Sequence, residues 1–146
     1  MTQDFETRVI APGSTIGIMG NGQLGRMAAF CAAELGYKVH VFGPGADSPT
    51  EQVCAKATVA DYSDLDALRA FAEDVDVVTF EFENVPHDSV KLLSDLVPVR
   101  PGWKCLHLSQ NRLREKTFCN DHGIGTAPFE AVRSLADLEA AVAKLG

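Results

Sequence analysis

A glycine-rich hexapeptide near the start of the chain restricts the possible fold more than any other feature. Residues 20–25, with the sequence GNGQLG, end a short apolar run at residues 15–20 and precede apolar residues at helical spacing. In a strand–turn–helix unit, glycines permit a tight turn and a close approach of the helix or of a ligand to the backbone. The pattern predicts the first strand and helix of a parallel sheet, with a turn that serves either a ligand or close packing.

Strand and helix patterns alternate over the first hundred residues. Further short strands are predicted at residues 38–42, 57–60, 75–82 and 97–99. Amphipathic segments lie between these strands, and the connections are short. We therefore predict an α/β fold in which a mostly parallel sheet carries helices on both faces.

The chain divides into three predicted segments, namely a flexible N-terminal arm at residues 1–14, a sheet domain at residues 15–102 and a helical region at residues 103–146. A polar helix is predicted over residues 109–122. Ser63 with Asp66, and Ser134 with Asp137, have the spacing of helix-capping boxes. The last helix has an apolar stripe but no strand after it, so we expect the chain to be the N-terminal part of a longer protein.

Composition and charge argue against several classes of protein. Apolar residues make up 46% of the chain and charged residues 23%, as in ordinary globular proteins. A net charge of −7 without a Lys/Arg cluster argues against a nucleic-acid partner. We find neither a membrane-spanning run nor a signal-peptide pattern. The four cysteines lack metal-site spacing, so we expect free thiols in the cytoplasm and no metal site.

The glycine turn alone suggests a dinucleotide site, but the second predicted strand argues against one. A nicotinamide site needs an acidic residue at the end of that strand, about 20 residues after the glycines, to bind ribose hydroxyls. Here the strand ends in residues 41–45 (VFGPG), and the first acid, Asp47, lies beyond this turn. An NAD(P)-binding oxidoreductase module remains an alternative, as does a stand-alone binding module without catalysis.

Two glutamates end the predicted strand at residues 75–82. Glu81 and Glu83 share one face with Thr79, while Phe80 and Phe82 point to the other. Ligands of open α/β sheets bind beside such strand ends, and carboxylates are costly to bury without partners. Either one glutamate is solvated and the other caps Asn84 or the next helix, or at least one accepts hydrogen bonds from ligand hydroxyl or amino groups.

Three segments in series resemble one family of enzymes. They are residues 16–27 (IGIMGNGQLGRM), residues 80–86 (FEFENVP) and residues 109–129, which include SQNRLREK and GIGTAPF. In this order and spacing they resemble 5-(carboxyamino)imidazole ribonucleotide synthetase, an ATP-grasp ligase of purine synthesis. The resemblance runs from Thr15 to the last residue. It implies a Rossmann-like pre-ATP-grasp domain followed by the start of an ATP-grasp domain.

The resemblance also implies an activity. Enzymes of this family use ATP and Mg²⁺ to activate bicarbonate as carboxyphosphate, and the carboxyl group then passes to the exocyclic amine of 5-aminoimidazole ribonucleotide. A homodimer is implied for the full-length protein. The family's phosphate loop and metal ligands do not occur in these 146 residues. We therefore expect ATP and Mg²⁺ to bind mainly outside them, and the chain alone to be inactive. Another ATP-grasp carboxylate–amine ligase is the closest alternative.

Site residues follow from the same resemblance. The residues that would line the ribonucleotide are Gly22, Gln23, Leu24, Glu83, Asn84 and Val85. We favour Glu83 over Glu81 because it is nearer the loop, although both share a face. Arg112 matches a family arginine that contacts ATP. The resemblance assigns no catalytic residue and no metal ligand to this chain.

Overall fold

Four parallel strands form one sheet in the part of the chain that the structure describes. The computed structural model describes residue 5 and residues 7–146. The strands are β1 (Thr15–Met19), β2 (Lys38–Gly43), β3 (Lys56–Val59) and β4 (Val77–Phe80), and their order across the sheet is β3-β2-β1-β4. Every neighbouring pair is parallel. The carboxyl ends of the strands therefore lie at one edge, and the predicted parallel α/β sheet is confirmed.

The predicted fifth strand at residues 97–99 is wrong. This segment makes one isolated parallel bridge, between Val78 and Val99, and lies outside the named strands. Val78 N donates to Pro98 O, and Arg100 N donates to Val78 O. Proline has no N–H to offer a sheet ladder, so the pairing does not extend into a strand.

Six helices occur within the described residues, and they are α1 (Gln23–Glu34), α2 (Leu65–Glu73), α3 (His87–Ser94), α4 (Trp103–Ser109), α5 (Arg112–Asp121) and α6 (Leu135–Leu145). The predicted helix over residues 109–122 is shorter at both ends, and α4 was not predicted. Asn111 separates α4 from α5, because its side chain accepts a hydrogen bond from Arg114 N at 3.0 Å and caps α5.

One of the two predicted capping boxes is confirmed. Ser134 Oγ accepts from Asp137 N at 3.1 Å and caps α6. The prediction for Ser63 is wrong, because Asp64 caps α2 by accepting from two main-chain N–H groups of its first turn. Ser63 instead donates its hydroxyl to Asp61 at 2.6 Å. A carboxylate at the N-cap both accepts these bonds and complements the helix dipole.

Helices cover both faces of the sheet, as predicted. On one face Ala29 and Ala32 of α1 pack against Ile18 and Val39. The larger cluster on the other face joins β1, β2 and β4 to α2 and α3, and its buried members are Met19, Phe42, Leu68, Phe71, Ala72, Val75, Val78, Val85, Val90, Leu93, Val97 and Leu106. Successive strand residues alternate between the two clusters, which is the pattern of a sheet buried on both sides.

The apolar stripe of α1 that the sequence predicts faces away from the sheet. The helix buries Gly25, Ala29 and Ala32, which let it approach the strands closely. The side chains that remain exposed form what we call the outer face of α1, and they are Leu24, Met27, Phe30, Cys31 and Leu35. An apolar helix surface is therefore exposed to solvent, which is unusual for an isolated domain.

The described part of the predicted arm is hydrogen-bonded to the sheet domain. Tyr37 donates its hydroxyl to Ile10 O at 2.9 Å, and Gly13 N donates to Gly36 O at 2.7 Å. Arg8 forms an exposed ion pair with Asp76 at 3.3 Å. The sequence of this segment did not predict these contacts, and residues 1–4 and 6 of the predicted arm lie outside the described residues.

By its contacts the chain forms two compact units, one ending at His107 and the other covering Leu108–Gly146. The first contains the sheet with α1 to α3, and the second contains α5 and α6. Within the described residues, every helix is too short or too polar to cross a lipid bilayer.

Candidate ligand site at the carboxyl edge of the sheet

The glycine turn joins β1 to α1 at the carboxyl edge of the sheet. Gly20 has a φ of 127°, which favours glycine, and its N–H donates to Phe42 O at 3.0 Å. Gly22 is the N-cap of α1 in an extended conformation and has no side chain to cap the helix. Gly25 packs so tightly that a Cβ there would lie 2.5 Å from Gly20 O. Close helix–strand packing therefore explains Gly25, whereas the turn itself faces the edge where ligands bind.

The segment after β2 supports this turn. The buried Thr50 donates its hydroxyl to Gly22 O at 2.8 Å, and its N–H donates to Asn21 O at 3.2 Å. The Asn21 amide in turn donates to Pro44 O at 2.8 Å. These bonds fix the main chain of the turn from the side of β2.

Asn21 also fills the space at the end of β2. A Cβ at Gly43 would lie 2.8 Å from Asn21 Cγ, so the amide packs directly on the glycine. A dinucleotide site carries its ribose-binding acid at the end of this strand. Here that place contains an amide already bonded to the main chain, which agrees with the sequence argument against a nicotinamide site.

Glu81, rather than Glu83, lies against the glycine turn. A Cβ at Gly20 would be 2.3 Å from Glu81 Cγ, and a Cβ at Gly22 would be 3.6 Å from Glu81 Oε1. The other carboxylate oxygen, Oε2, is buried without a hydrogen-bond partner. The missing side chain at Gly20 therefore makes room for this carboxylate, a relationship that the glycine pattern alone did not reveal.

Tyr62 follows β3 and lies within electrostatic reach of Glu81. Burial, and secondarily the negative charge of Glu81, raise the pKa of Tyr62 to about 12. Its ring packs at 6.1 Å from the Phe42 ring and 5.9 Å from the Phe82 ring. A phenol is already protonated at neutral pH, and the raised pKa of Tyr62 extends its protonated form to higher pH. Tyr62 was not predicted as a site residue, because a lone tyrosine after a strand carries no recognisable motif.

The residues predicted to line the ribonucleotide fall into two groups, one at the start of α1 and one after β4. Gln23 and Leu24 are exposed in the first turn of α1, next to Gly22. Glu83 and Asn84 are exposed in the loop after β4. Val85 is fully buried in the hydrophobic core, so only its main chain is available to a ligand. Their contact with a ribonucleotide stays a prediction.

The second unit places Arg112 at the rim of a cavity. The cavity measures about 310 Å³ and is lined by Arg112, Leu113, Lys116, Phe129, Glu130, Ala131, Val132 and Arg133. Arg112 pairs with Glu115 at 2.5 Å but is 81% exposed, so its guanidinium is open to an incoming ligand. Lys116 donates to Ala127 O at 3.0 Å and lies 5.0 Å from the centre of the Phe129 ring. Cations beside an aromatic ring suit a ligand with phosphates and a base.

The described residues bring together no group of three or more His, Cys, Asp or Glu side chains that could hold a metal ion.

Comparison with known proteins defines the class to which the fold and the site belong. Residues 13–110 match the family model described as the ribonucleotide synthetase preATP-grasp domain. The chain belongs to this family, and the resemblance that its three motifs indicate is confirmed.

Its curated relatives include N5-carboxyaminoimidazole ribonucleotide synthases. The protein of Brucella melitensis is 45% identical over 137 residues, which are 94% of this chain and 38% of the relative. The protein of Bacillus subtilis is 41% identical over 138 residues, which are 94% of this chain and 36% of the relative. The chain thus spans less than two-fifths of the length of these relatives.

Solved structures of the same enzyme have the same fold. The Staphylococcus aureus synthetase complexed with ADP has a TM-score of 0.88 and 35% identity, covering 97% of this chain and 38% of that one. The Aspergillus clavatus synthase, in complex with ADP and 5-aminoimidazole ribonucleotide, has a TM-score of 0.82 and 30% identity, covering 91% of this chain and 36% of that one.

Proposed function

We propose that this chain is the N-terminal, substrate-binding part of an N5-carboxyaminoimidazole ribonucleotide synthetase. The full-length protein would carboxylate 5-aminoimidazole ribonucleotide with bicarbonate, using ATP, in purine biosynthesis. The similarity to synthases over 94% of the chain is the observation that carries this proposal. A relative of the same fold contains ADP and the ribonucleotide, which supports the choice of ligands.

The carboxyl edge of the sheet would supply one wall of the ribonucleotide site. Its proposed residues are Gly22, Gln23, Leu24, Glu83, Asn84 and Val85. Position supports this assignment, because ligands of parallel α/β sheets bind outside the carboxyl ends of the strands. The main-chain N–H groups at the start of α1 and the exposed carboxylate of Glu83 offer a ligand both donors and acceptors.

Arg112 would contact ATP, and Mg²⁺ and most of the ATP site would lie outside these 146 residues. The phosphoryl group transferred to bicarbonate needs nearby positive charge, and Arg112, Lys116 and Arg133 line one cavity. None of the 146 residues is assigned a catalytic role. We therefore expect the chain alone to bind ligand weakly and to turn over nothing.

We also propose a cytoplasmic homodimer for the full-length protein. The apolar outer face of α1 supports association, because an exposed apolar surface of this kind marks an interface. All four cysteines, which lie within the described residues, are free thiols, which supports a reducing compartment.

The test is an assay of the full-length protein with ATP, Mg²⁺, bicarbonate and 5-aminoimidazole ribonucleotide. We expect ADP release that requires both bicarbonate and the ribonucleotide, together with formation of the carboxylated product. ADP release that depends on another amine would instead support a different carboxylate–amine ligase. Micromolar binding of NADH that Gly22→Val abolishes would support an oxidoreductase module and overturn the proposal.

A further inference from the structure

Four side chains of α3 and α4 pack together next to the loop at residues 83–86, and we call His87, Lys91, Trp103 and His107 the His107 cluster. The centres of the His87 and His107 rings are 4.8 Å apart, and the Trp103 ring packs edge-on at 6.4 Å from the His107 ring. Lys91 Nζ lies 5.5 Å from the centre of the Trp103 ring. Ring pairs and cation–ring pairs at such distances are attractive, so the cluster connects the two helices.

Helical spacing brings the cluster together from two helix faces. His87 and Lys91 stand at positions i and i+4 of α3, and Trp103 and His107 stand at the same spacing in α4, so each pair shares one face of its helix. All four side chains are at least partly exposed. For its own burial α3 uses a different set of residues, namely Ser89, Val90 and Leu93. The cluster therefore adds a second contact to α3, beside the hydrophobic core.

The start of α3 depends on this second contact because it has no side-chain cap. The N-cap residue is Pro86, whose side chain accepts no hydrogen bond from the first turn. Within the loop before it, Val85 is anchored in the core, whereas Glu83 and Asn84 are exposed. His87 is the first residue of α3, so its ring contact with α4 is the next anchor along the chain after Val85.

We infer that His107 is a positioning residue for the ribonucleotide and acts through His87 on the loop at residues 83–86. This inference rests on the proposed function and deepens it, because it names a side chain that holds the proposed ribonucleotide wall in place without touching the ligand. The His107 ring restrains His87, and this restraint limits how far the loop before α3 can shift. A displacement of about 1 Å is enough to weaken the hydrogen bonds that a positioned group makes.

The test is steady-state kinetics of the full-length enzyme, with each substrate varied in turn. His107→Ala removes the ring contact and should raise the KM for 5-aminoimidazole ribonucleotide by about 3- to 10-fold, the factor that corresponds to the loss of one aromatic contact. The KM for ATP should stay near its wild-type value, because the loop belongs to the proposed ribonucleotide wall. His107→Phe keeps a flat ring at the same place and should restore the KM for the ribonucleotide.

Two controls separate positioning from a general loss of structure. His122→Ala also removes a contact between two rings, since the His122 and Phe118 rings lie 4.1 Å apart at the end of α5, and it should change neither KM value. The double variant His87→Ala/His107→Ala should have no larger effect than the stronger single change, because both single changes break the same contact. If His107→Ala does not fold, His107→Leu, which fills the space without a flat ring, is measured instead.

Four outcomes overturn the inference. An unchanged KM for the ribonucleotide in His107→Ala would show that the ring contact does not hold the loop. Equal increases in both KM values, or an increase that His107→Phe does not restore, would indicate a general structural effect or a direct contact of the imidazole with the ligand. Additive effects in the double variant would show that His107 does not act through His87. A folded wild-type protein that does not carboxylate the ribonucleotide would overturn the proposed function itself, and this inference with it.

Discussion

The Thr50 hydroxyl donates to the main-chain oxygen of Gly22 at 2.8 Å, and this bond connects the segment after β2 to the start of α1. Thr50 is fully buried, so its hydroxyl has no water as an alternative partner. The shape of the glycine turn therefore depends on a residue 28 positions away in the sequence. We expect this bond to contribute to stability as well as to the geometry of the candidate site.

Replacing Thr50 by valine should destabilise the protein by about 1 kcal/mol, the usual net contribution of one hydrogen bond. The substitution keeps the shape of the side chain but removes the hydroxyl donor to Gly22 O, which retains the N–H of Arg26 as its other donor. Urea unfolding of wild type and variant measures the difference. Thr117→Val, at an exposed position of α5, is the control and should change the free energy of unfolding by less than about 0.5 kcal/mol. Equal stabilities of wild type and Thr50→Val would show that the bond does not support the turn.

His40 is the clearest source of acid sensitivity in the first unit. It is 1% exposed, its Nε2 shares a hydrogen bond of 2.8 Å with Thr58 Oγ1, and its Nδ1 has no partner. Burial, followed by the nearby charge of Lys56, lowers the pKa of His40 from 6.5 to about 4. The folded protein therefore holds this imidazole neutral in a range where the unfolded chain protonates it.

Stability should decrease as the pH falls from 6.5 toward 4. Above pH 6.5 His40 is neutral in both states and contributes no pH dependence, whereas between these values only the unfolded state takes up the proton. The loss amounts to about 3 kcal/mol at pH 4. His40→Phe should flatten this part of the pH profile of unfolding, and His122→Gln, at an exposed site, should leave the profile unchanged. An unaltered slope in His40→Phe would contradict the assignment.

The parallel sheet could be predicted from sequence because each strand shows the apolar and β-branched pattern that burial on both faces requires. The same pattern led to the wrong prediction of a fifth strand. Val97 and Val99 fit the pattern, but Pro98 between them limits the pairing to one bridge. Periodicity also indicated α1 but not which side is buried. The helix packs more closely on the side of Gly25, Ala29 and Ala32 than it could on the side of its larger apolar residues. Which side is buried depends on the sheet surface that faces the helix.

The candidate site could be predicted only in part. The glycine turn and the acidic strand end are local patterns and are visible in one sequence. The position of Glu81 against Gly20 depends on the β1–β4 pairing, and the support from Thr50 depends on the loop after β2. Such contacts between distant segments leave no local signal. From sequence alone, nearness to the loop favoured Glu83, and the contact of Glu81 with the turn is visible only in the fold.

Glu83→Gln in the full-length enzyme should raise the KM for the ribonucleotide by about tenfold or more, and the KM for ATP by much less. A carboxylate that accepts hydrogen bonds from the substrate loses much of its strength as an acceptor when it is replaced by an amide. Steady-state kinetics with each substrate varied in turn measure both values. Asp88→Asn, an exposed change in the first turn of α3, is the control. Equal effects on both KM values would remove Glu83 from the ribonucleotide wall.

Arg112→Ala should have the reverse effect and raise the KM for ATP more than that for the ribonucleotide. The exposed guanidinium can form charge-assisted hydrogen bonds with phosphate oxygens, and alanine cannot. Arg69→Ala is a matched control, because Arg69 also pairs with a carboxylate three positions away on an exposed helix face. If both variants behave alike, Arg112 is an ordinary surface charge.

A charge on the outer face of α1 should disrupt the proposed homodimer. Met27 is 55% exposed and Phe30 is 51% exposed. A glutamate at either position would be solvated in a monomer but buried without a partner in an apolar interface. Light scattering after gel filtration should therefore show a dimer for the wild-type full-length protein and a monomer for Met27→Glu and Phe30→Glu.

Val59→Glu tests whether the effect belongs to this face alone. Val59 is 50% exposed on the edge strand β3, so its replacement adds the same charge to a comparably exposed apolar position elsewhere. We expect this variant to remain dimeric. Dimers that survive both α1 substitutions would place the subunit interface on another surface. Dissociation by all three substitutions would instead indicate that net charge, rather than the apolar outer face of α1, controls association.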